Sequence, residues 1–277
     1  SVLSRALIML SGVILSQILG KDLYGQYSMV NSTVLLFTTF SELGISATLT
    51  RYVALYRNES QKAGNIIGTL SIVAYCLSII MAIFLFISAE KVSILVCDSN
   101  ALTKYFKITA FALLFSALSS IQQSILLGME KYKKSATIEL IRCFIFIILS
   151  AILSIKIGVE GAVYSLLITY ILRFLMMFIE NNNEYKKNNI NLKFNFTNEI
   201  RSIIIKFTIP AFIANLFVIP VNWINNAILA KQVGFGEIAI FSVALQWLTI
   251  ITYIPSQMGQ VRPIYTDLYS KKEFREL

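Results

Sequence analysis

Eight apolar stretches, each close to the length of a membrane-spanning helix, follow one another along the chain. They lie at about residues 2–19, 27–56, 66–88, 105–127, 137–155, 162–179, 203–230 and 238–255. Crossing ~30 Å of hydrocarbon takes roughly 20 apolar residues, and a helix satisfies its own backbone there. The second and seventh stretches run long and are expected to tilt or project beyond the bilayer. One such run can be the buried core helix of a soluble protein; eight in succession, joined by short polar breaks, argue against that. The predicted fold class is all-α: a polytopic integral membrane bundle of about eight transmembrane helices. Composition agrees, since charged residues make up 14% of the chain, about half the ~25% of soluble domains. A soluble enzyme is all but excluded.

The remaining charge is sorted along the chain. The second, fourth, sixth and eighth breaks hold Arg57 and Lys62; Lys131, Lys133 and Lys134; Lys186, Lys187, Lys193 and Arg201; and Arg262, Lys271, Lys272 and Arg275. The odd breaks hold only Lys21, Lys91, Lys104, Lys156 and Lys231. The positive-inside rule then puts the even breaks and the amino terminus in the cytoplasm. The net charge of +9 is a topology signal, and no nucleic-acid partner is needed to explain it.

Absences narrow the chemistry. There is no histidine, and Cys76, Cys97 and Cys143 are far apart in sequence, which removes His-based triads, His-ligated zinc or haem, and Cys-x-x-Cys sites. No GxxxxGK[ST] loop encodes an ATP site. No large outward loop carries the clustered carboxylates of acid–base catalysis. The expectation is a non-enzyme without cofactor or metal.

The longest break, ENNNEYKKNNINLKFNFTNEIRS (180–202), follows the sixth helix. It divides the chain into a six-helix lobe (1–180), a cytoplasmic inter-lobe linker (181–202), and two helices of a second lobe with a cytoplasmic tail (203–277). The apolar run begins at Ser1 and the chain stops in KKEFREL, so sequence is expected to be missing at both ends, more of it at the carboxyl side. ILGKDLYGQYSMV (18–30), SIKIGVEGAVYSL (154–166) and LAKQVGFGEIAIF (229–241) each end one helix, turn on glycine and start another, with Gly25, Gly161 and Gly236 aligned. Glycine permits the reversal and close helix approach. Duplicated lobes are a habit of transporters that alternate access around a central site.

The run LSQILGKDLYGQYSMVNSTVLLFTTFSELGISATLTRYVALYR (15–57) carries LG-x-x-x-Y-G at Leu19, Gly20, Tyr24 and Gly25, ELG at 42–44 and TRYVA at 50–54. With GVEGAV (158–163) and PAFIANLF (210–217), it resembles the bacterial polysaccharide-export flippases. Their superfamily also holds the multidrug-and-toxin extrusion antiporters and the lipid II flippase. The resemblance implies two six-helix lobes around a V-shaped cavity, often with two extra carboxyl-terminal helices, in the bacterial cytoplasmic (inner) membrane. Of that fold this chain supplies the first lobe and helices seven and eight, an incomplete transporter.

Polar residues within the spans mark an expected pathway, because a charge at mid-bilayer costs ~2.5–3.5 kcal/mol on insertion scales. Asn31, Thr38 and Glu42 stand at i, i+7 and i+11 on one face of helix two. Glu42 is either a proton- or cation-linked carboxylate or a structural hydrogen-bonding acid. Ser165, Thr169 and Arg173 repeat by four on helix six, where Arg173 is either a phosphate contact or a snorkelling side chain. Arg5 and Arg51 sit towards the same side, and the resemblance at TRYVA favours Arg51. Glu139 and Arg142 are spaced to pair on their own helix. Asn215, Asn222 and Asn226 repeat the helix-two spacing on helix seven, and Ser242, Gln246, Thr249, Tyr253 and Ser256 line helix eight. Pro210, Pro220, Pro255 and Pro263, the only prolines, fall in this last quarter, where kinks free backbone carbonyls.

The leading expectation is a flippase for an undecaprenyl-diphosphate-linked oligosaccharide in surface-polysaccharide (O-antigen or capsule) biosynthesis. Arg5, Arg51 and Arg173 would hold the diphosphate, Asn31, Asn222, Asn226 and Gln246 the sugar hydroxyls, and Glu42 would couple an ion. A monomer is expected, with the lipid-linked substrate, the bilayer and polysaccharide-assembly proteins as partners. The alternatives are a proton- or sodium-coupled drug antiporter, whose cavity should be dominantly acidic, and a membrane polymerase or acyltransferase.

Overall fold

The computed structural model describes residues 2–258 apart from 99, 216 and 217, and omits the side chains of Val2, Asn215, Thr249, Ile250 and 253–258. The expectations placed on the side chains of Asn215, Thr249, Tyr253, Pro255 and Ser256, and on Pro263, Arg262, Lys271, Lys272 and Arg275, therefore lie outside the described residues.

Among the described residues, each of the eight apolar stretches is mostly helical. α1 (Val2–Glu42) holds the first and most of the second, because Gly20 leaves the helical region at φ 76° and ψ 173° and separates 2–19 from 21–42. α2 (Ile45–Leu55), α3 (Ser60–Cys97), α4 (Thr103–Gly128), α5 (Tyr132–Ile157) and α6 (Val159–Lys187) make up, with α1, the helices of the expected first lobe. α7 (Asn198–Ile203) runs through one π-helical turn (Ile204–Thr208) into α8 (Ile209–Asn215), followed by α9 (Val218–Gln232) and α10 (Phe235–Met258). Among the described residues, six helical runs are long and apolar enough to cross a membrane, with 3–42 and 198–232 each counted once, and Phe235–Leu248 is a shorter apolar helix. The protein is an all-α polytopic membrane protein.

The expected elements change in four places. Helix two is not continuous over 27–56: Leu43 and Gly44 take φ 44° and 77°. A Cβ on Gly44 would stand 2.6 Å from the Thr208 carbonyl oxygen, so the break admits the backbone of the second lobe. Glu42 consequently ends a helix and does not sit in the middle of one. The break expected at 89–104 is helical as far as Cys97, and the expected linker is helical as far as Lys187. Helix seven is interrupted by the π-turn that precedes Pro210. Proline lacks an N–H and its ring crowds the carbonyl four residues back, here Lys206, and the wider turn relieves that clash.

Small residues set the helix spacing inside the first lobe. Ser116, Ala117 and Ser119 of α4 and Ala162, Ser165 and Thr169 of α6 are buried; with no hydrophobic drive between helices in lipid, close packing of such residues is what joins them. Their hydroxyls return to carbonyls of their own helix, as Ser165 does to Gly161 at 2.7 Å and Thr169 to Ser165 at 2.7 Å. Large apolar side chains such as Ile80, Phe84, Ile87 and Phe144 are exposed instead, as a lipid-facing surface requires. The segment 188–197 lies against Gly64 and Gly68 of α3, where a Cβ would come within 2.2 Å of Asn191 O and 2.4 Å of Lys193 O. Thr69 Oγ1 accepts from the Asn195 N–H (3.1 Å) and donates to its carbonyl (3.3 Å).

Candidate functional site

α1, α2 and α3 meet the helices that follow Asn198 along a seam between the two expected lobes, and the predicted site residues distribute over that seam and the interior of the bundle formed by α1 to α6. At the end that the charge count places outside, two ion pairs cross the seam: Lys21 with Glu237 and Lys231 with Asp98, both at 2.8 Å. The glycine turns recognised as repeats face each other here. A Cβ on Gly25 would overlap the Phe235 carbonyl oxygen at 1.8 Å, and one on Gly236 would stand 2.9 Å from Asp22 Oδ1. A cavity of about 330 Å3 opens beside them, lined by Ser16, Lys21, Tyr24, Ala239, Ile240 and Val243.

Deeper in the seam, Gln246 of α10 donates to the buried Tyr24 hydroxyl at 3.0 Å. Gly12 leaves room for this amide: a Cβ there would be 2.3 Å from Gln246 Oε1. That oxygen is buried without a hydrogen-bond partner, and so is Oδ1 of Asn226, a residue 5% exposed on α9. Trp223 donates its indole N–H to Thr33 Oγ1 at 2.9 Å. Asn31 and Asn222 are half-buried, and the neighbouring Thr38 has a buried, unpartnered Oγ1.

Towards the inner end, Arg51 of α2 is exposed. Its guanidinium lies 4.5 Å from the ring centroid of Phe207, in the π-turn of the second lobe, and 5.8 Å from that of Tyr52. One turn earlier, the Thr48 and Thr208 hydroxyls share a buried hydrogen bond of 2.8 Å. Tyr56 donates to Glu199 at 2.9 Å, a bond that raises the phenol above its ordinary pKa. Arg5 is exposed on the first half of α1.

Arg173 is placed differently. It lies inside the first lobe, 11% exposed, with Nε 2.9 Å from Glu139 Oε2, Nη1 donating to Ser119 at 3.0 Å and Nη2 to Gln123 at 2.5 Å. It neither snorkels nor offers an open fork in this conformation. The predicted Glu139–Arg142 pair forms at 2.5 Å, and Arg142 also faces the Tyr170 ring at 5.9 Å. Glu42 accepts from Ser46 at 2.5 Å, has Ser120 as a further side-chain partner and lies within electrostatic reach of Arg173. Sequence reasoning missed Glu139 as a partner of Arg173, Phe207 as the platform for Arg51, and the Tyr24–Gln246 and Thr33–Trp223 bonds. Each of these joins residues distant in sequence, and periodicity along a single helix carries no signal for them.

Comparisons with known proteins bear on the family and the fold. A family model described as polysaccharide biosynthesis protein matches residues 1–267. The chain is 22% identical over 274 residues to the EPS I polysaccharide export inner membrane protein EpsE of Ralstonia solanacearum, covering 94% of this chain and 59% of that protein. It thus spans well under two thirds of the curated relative's length. The fold is similar to that of a multidrug resistance MATE family transporter of the MOP superfamily. The outward-facing structure gives a TM-score of 0.67 at 17% identity, covering 91% of this chain and 59% of the other. The inward-facing structure gives 0.64 at 16% identity, over 91% and 58%. The chain is a multi-pass protein of the cytoplasmic membrane with a transporter fold, and it belongs to the polysaccharide biosynthesis protein family.

Proposed function

We propose that this chain forms the amino-terminal part of a flippase that moves a polyprenyl-diphosphate-linked oligosaccharide from the inner to the outer leaflet for surface-polysaccharide assembly. The observation that carries the reading is Arg51: an exposed cation on the first lobe, stacked on Phe207 of the second. A guanidinium is a planar donor fork matched to phosphate oxygens, and this one stands where the two lobes meet. Arg5 supplies a second exposed cation. Arg173 joins them when an incoming phosphate displaces the Glu139 carboxylate from its guanidinium. Asn31, Asn222, Asn226 and Gln246 contact sugar hydroxyls; the buried oxygens of Asn226 and Gln246 that lack donors gain them from a polyol. Glu42, hinged between α1 and α2 and near Arg173, is the residue for ion coupling. The chain does no bond-making chemistry in this scheme, in keeping with relatives described as exporters and transporters.

The test is Arg51→Ala in the full-length protein, assayed for surface polysaccharide and for membrane abundance. Loss of polysaccharide with unchanged abundance is the expected outcome. Normal polysaccharide removes Arg51 from the site. Drug efflux by the intact protein with polysaccharide synthesis unaltered reassigns the cargo to a cation.

A further inference from the structure

α3 and α4 leave a groove of about 260 Å3 between them, away from the inter-lobe seam and lined by Ile79, Ala82, Ile83 and Phe86 of α3 and Ala110 and Phe111 of α4. Leu114 of α4 completes the lining, which is wholly apolar. Ile79, Ile83, Phe86 and Phe111 are each roughly half exposed, so no other helix among the described residues covers them. In a membrane the surrounding medium is lipid. Ile79 to Phe86 covers two turns of α3, which gives the groove a length of roughly 10 Å along the helix axis.

One end of the groove is charged. Lys107 stands one turn before Phe111 on α4, exposed, with Nζ 5.9 Å from the Phe86 ring centroid. No carboxylate among the described residues pairs with it, whereas Lys104, one turn nearer the helix start, is held by Glu160 at 2.6 Å. A lysine facing hydrocarbon extends its ammonium to the headgroup level. The anion it meets at that level belongs to a lipid.

We propose that this groove binds an anionic glycerophospholipid, with one acyl chain between α3 and α4 and its phosphate on Lys107. The leaflet is that at the Thr103 end of α4, the outward one by the charge count. An acyl chain is as apolar as the side chains it touches, so the chain alone selects nothing. Selectivity comes from the lysine, and one Lys near an anionic surface corresponds to about a fivefold preference.

The experiment uses the full chain in mixed micelles with photoreactive-chain phosphatidylglycerol or phosphatidylcholine, and maps the label by peptide mass spectrometry. Residues 79–86 and 110–114 are expected to take about fivefold more label from phosphatidylglycerol. Lys107→Gln should bring the two lipids to parity. Ala82→Leu, which fills the groove and keeps the charge, should remove label from both while circular dichroism shows helix content retained. Equal labelling in the unmodified chain, or a phosphatidylglycerol preference that survives Lys107→Gln, overturns the proposal. So does displacement of phosphatidylglycerol by equimolar polyprenyl phosphate, which would give the groove to the substrate's carrier.

Discussion

Glu139 and Arg173 face each other across α5 and α6, with Oε2 2.9 Å from Nε, while the same carboxylate holds Arg142 through its other oxygen. Two guanidiniums thus share one anion, all three side chains being at least four-fifths buried. Taking charges out of water costs several kcal/mol per ion, and pairing offsets part of that cost, although Glu139 Oε2 and Arg173 Nε are in ion-pair contact without hydrogen-bond geometry. Glu139→Gln leaves two cations without their carboxylate. It is expected to destabilise the first lobe by about 3–5 kcal/mol, read as a lower unfolding midpoint in detergent. Arg173→Gln on the same background should recover part of the loss. A Glu139→Gln protein as stable as the parent would mean that the arginines find water or another anion.

The pairs Lys21–Glu237 and Lys231–Asp98 call for a different expectation. Their side chains are 42–63% exposed, and exposed pairs contribute roughly 0–1 kcal/mol. Glu237→Ala should therefore leave the unfolding midpoint almost unchanged. What the pairs do is bridge one end of the seam. In the full-length protein with its native cysteines replaced, Lys21→Cys with Glu237→Cys, bridged by a short bifunctional reagent, should stop polysaccharide export, and each single variant should not. Export that continues through the bridged protein would show that this end of the seam stays shut during transport.

The helical, membrane-spanning class was legible because bilayer thickness and backbone satisfaction act on every helix alike, although the structure gathers the expected stretches into six long apolar runs and one shorter helix among the described residues. The Glu139–Arg142 pair was legible for a similar reason, since i,i+3 proximity is fixed by helix geometry. The break at Leu43–Gly44 was hidden because the backbone that approaches it, the Thr208 carbonyl, is remote in sequence, as it is for the 160-residue separation that joins Thr48 to Thr208. Arg173 shows the limit at the site. Its spacing with Ser165 and Thr169 described a helix face correctly, and both hydroxyls turned out to bond their own helix, while the guanidinium crosses to α4 and α5. Periodicity locates a polar stripe on one helix. Whether the stripe faces a wet path or a neighbouring helix depends on packing between helices.

Gly20 and Gly25 are five residues apart in one motif, yet substitution should separate them. Gly20 has φ 76° and nothing within 4 Å of where a Cβ would be. Gly20→Ala therefore bears only backbone strain, since φ 76° with ψ 173° is a region essentially confined to glycine and holding another residue there costs roughly 1–3 kcal/mol. Gly25 is an ordinary helical residue whose Cβ would overlap the Phe235 carbonyl, so Gly25→Ala must push α10 away from α1. Gly25→Ala is expected to lower the folded yield and unfolding midpoint more than Gly20→Ala does. The reverse order would mean that the lobes separate here at little cost.

The segment 188–197 is held against α3 by a groove that two glycines create, so widening either side chain should dislodge it. At Gly68 a Cβ would meet the Lys193 carbonyl oxygen at 2.4 Å, and at Gly64 the Asn191 carbonyl at 2.2 Å. Both contacts are backbone atoms, which cannot rotate aside as a side-chain tip can. Ile190 of the same segment is buried, and Thr69 supplies the hydrogen bonds that fix Asn195. Gly68→Val should therefore expose the Lys193 peptide bond, and limited trypsin digestion should cut there at least tenfold faster than in the parent. The lobe itself should stay folded, because the bulky methyls push outward on the linker and leave the α3–α4 contact alone. Thr69→Val, which removes both hydrogen bonds and keeps the glycines, should give a smaller acceleration in the same assay. Cleavage at Lys193 that is unaffected by either change would show that the linker is retained by the helices at its two ends and that the glycine groove contributes nothing.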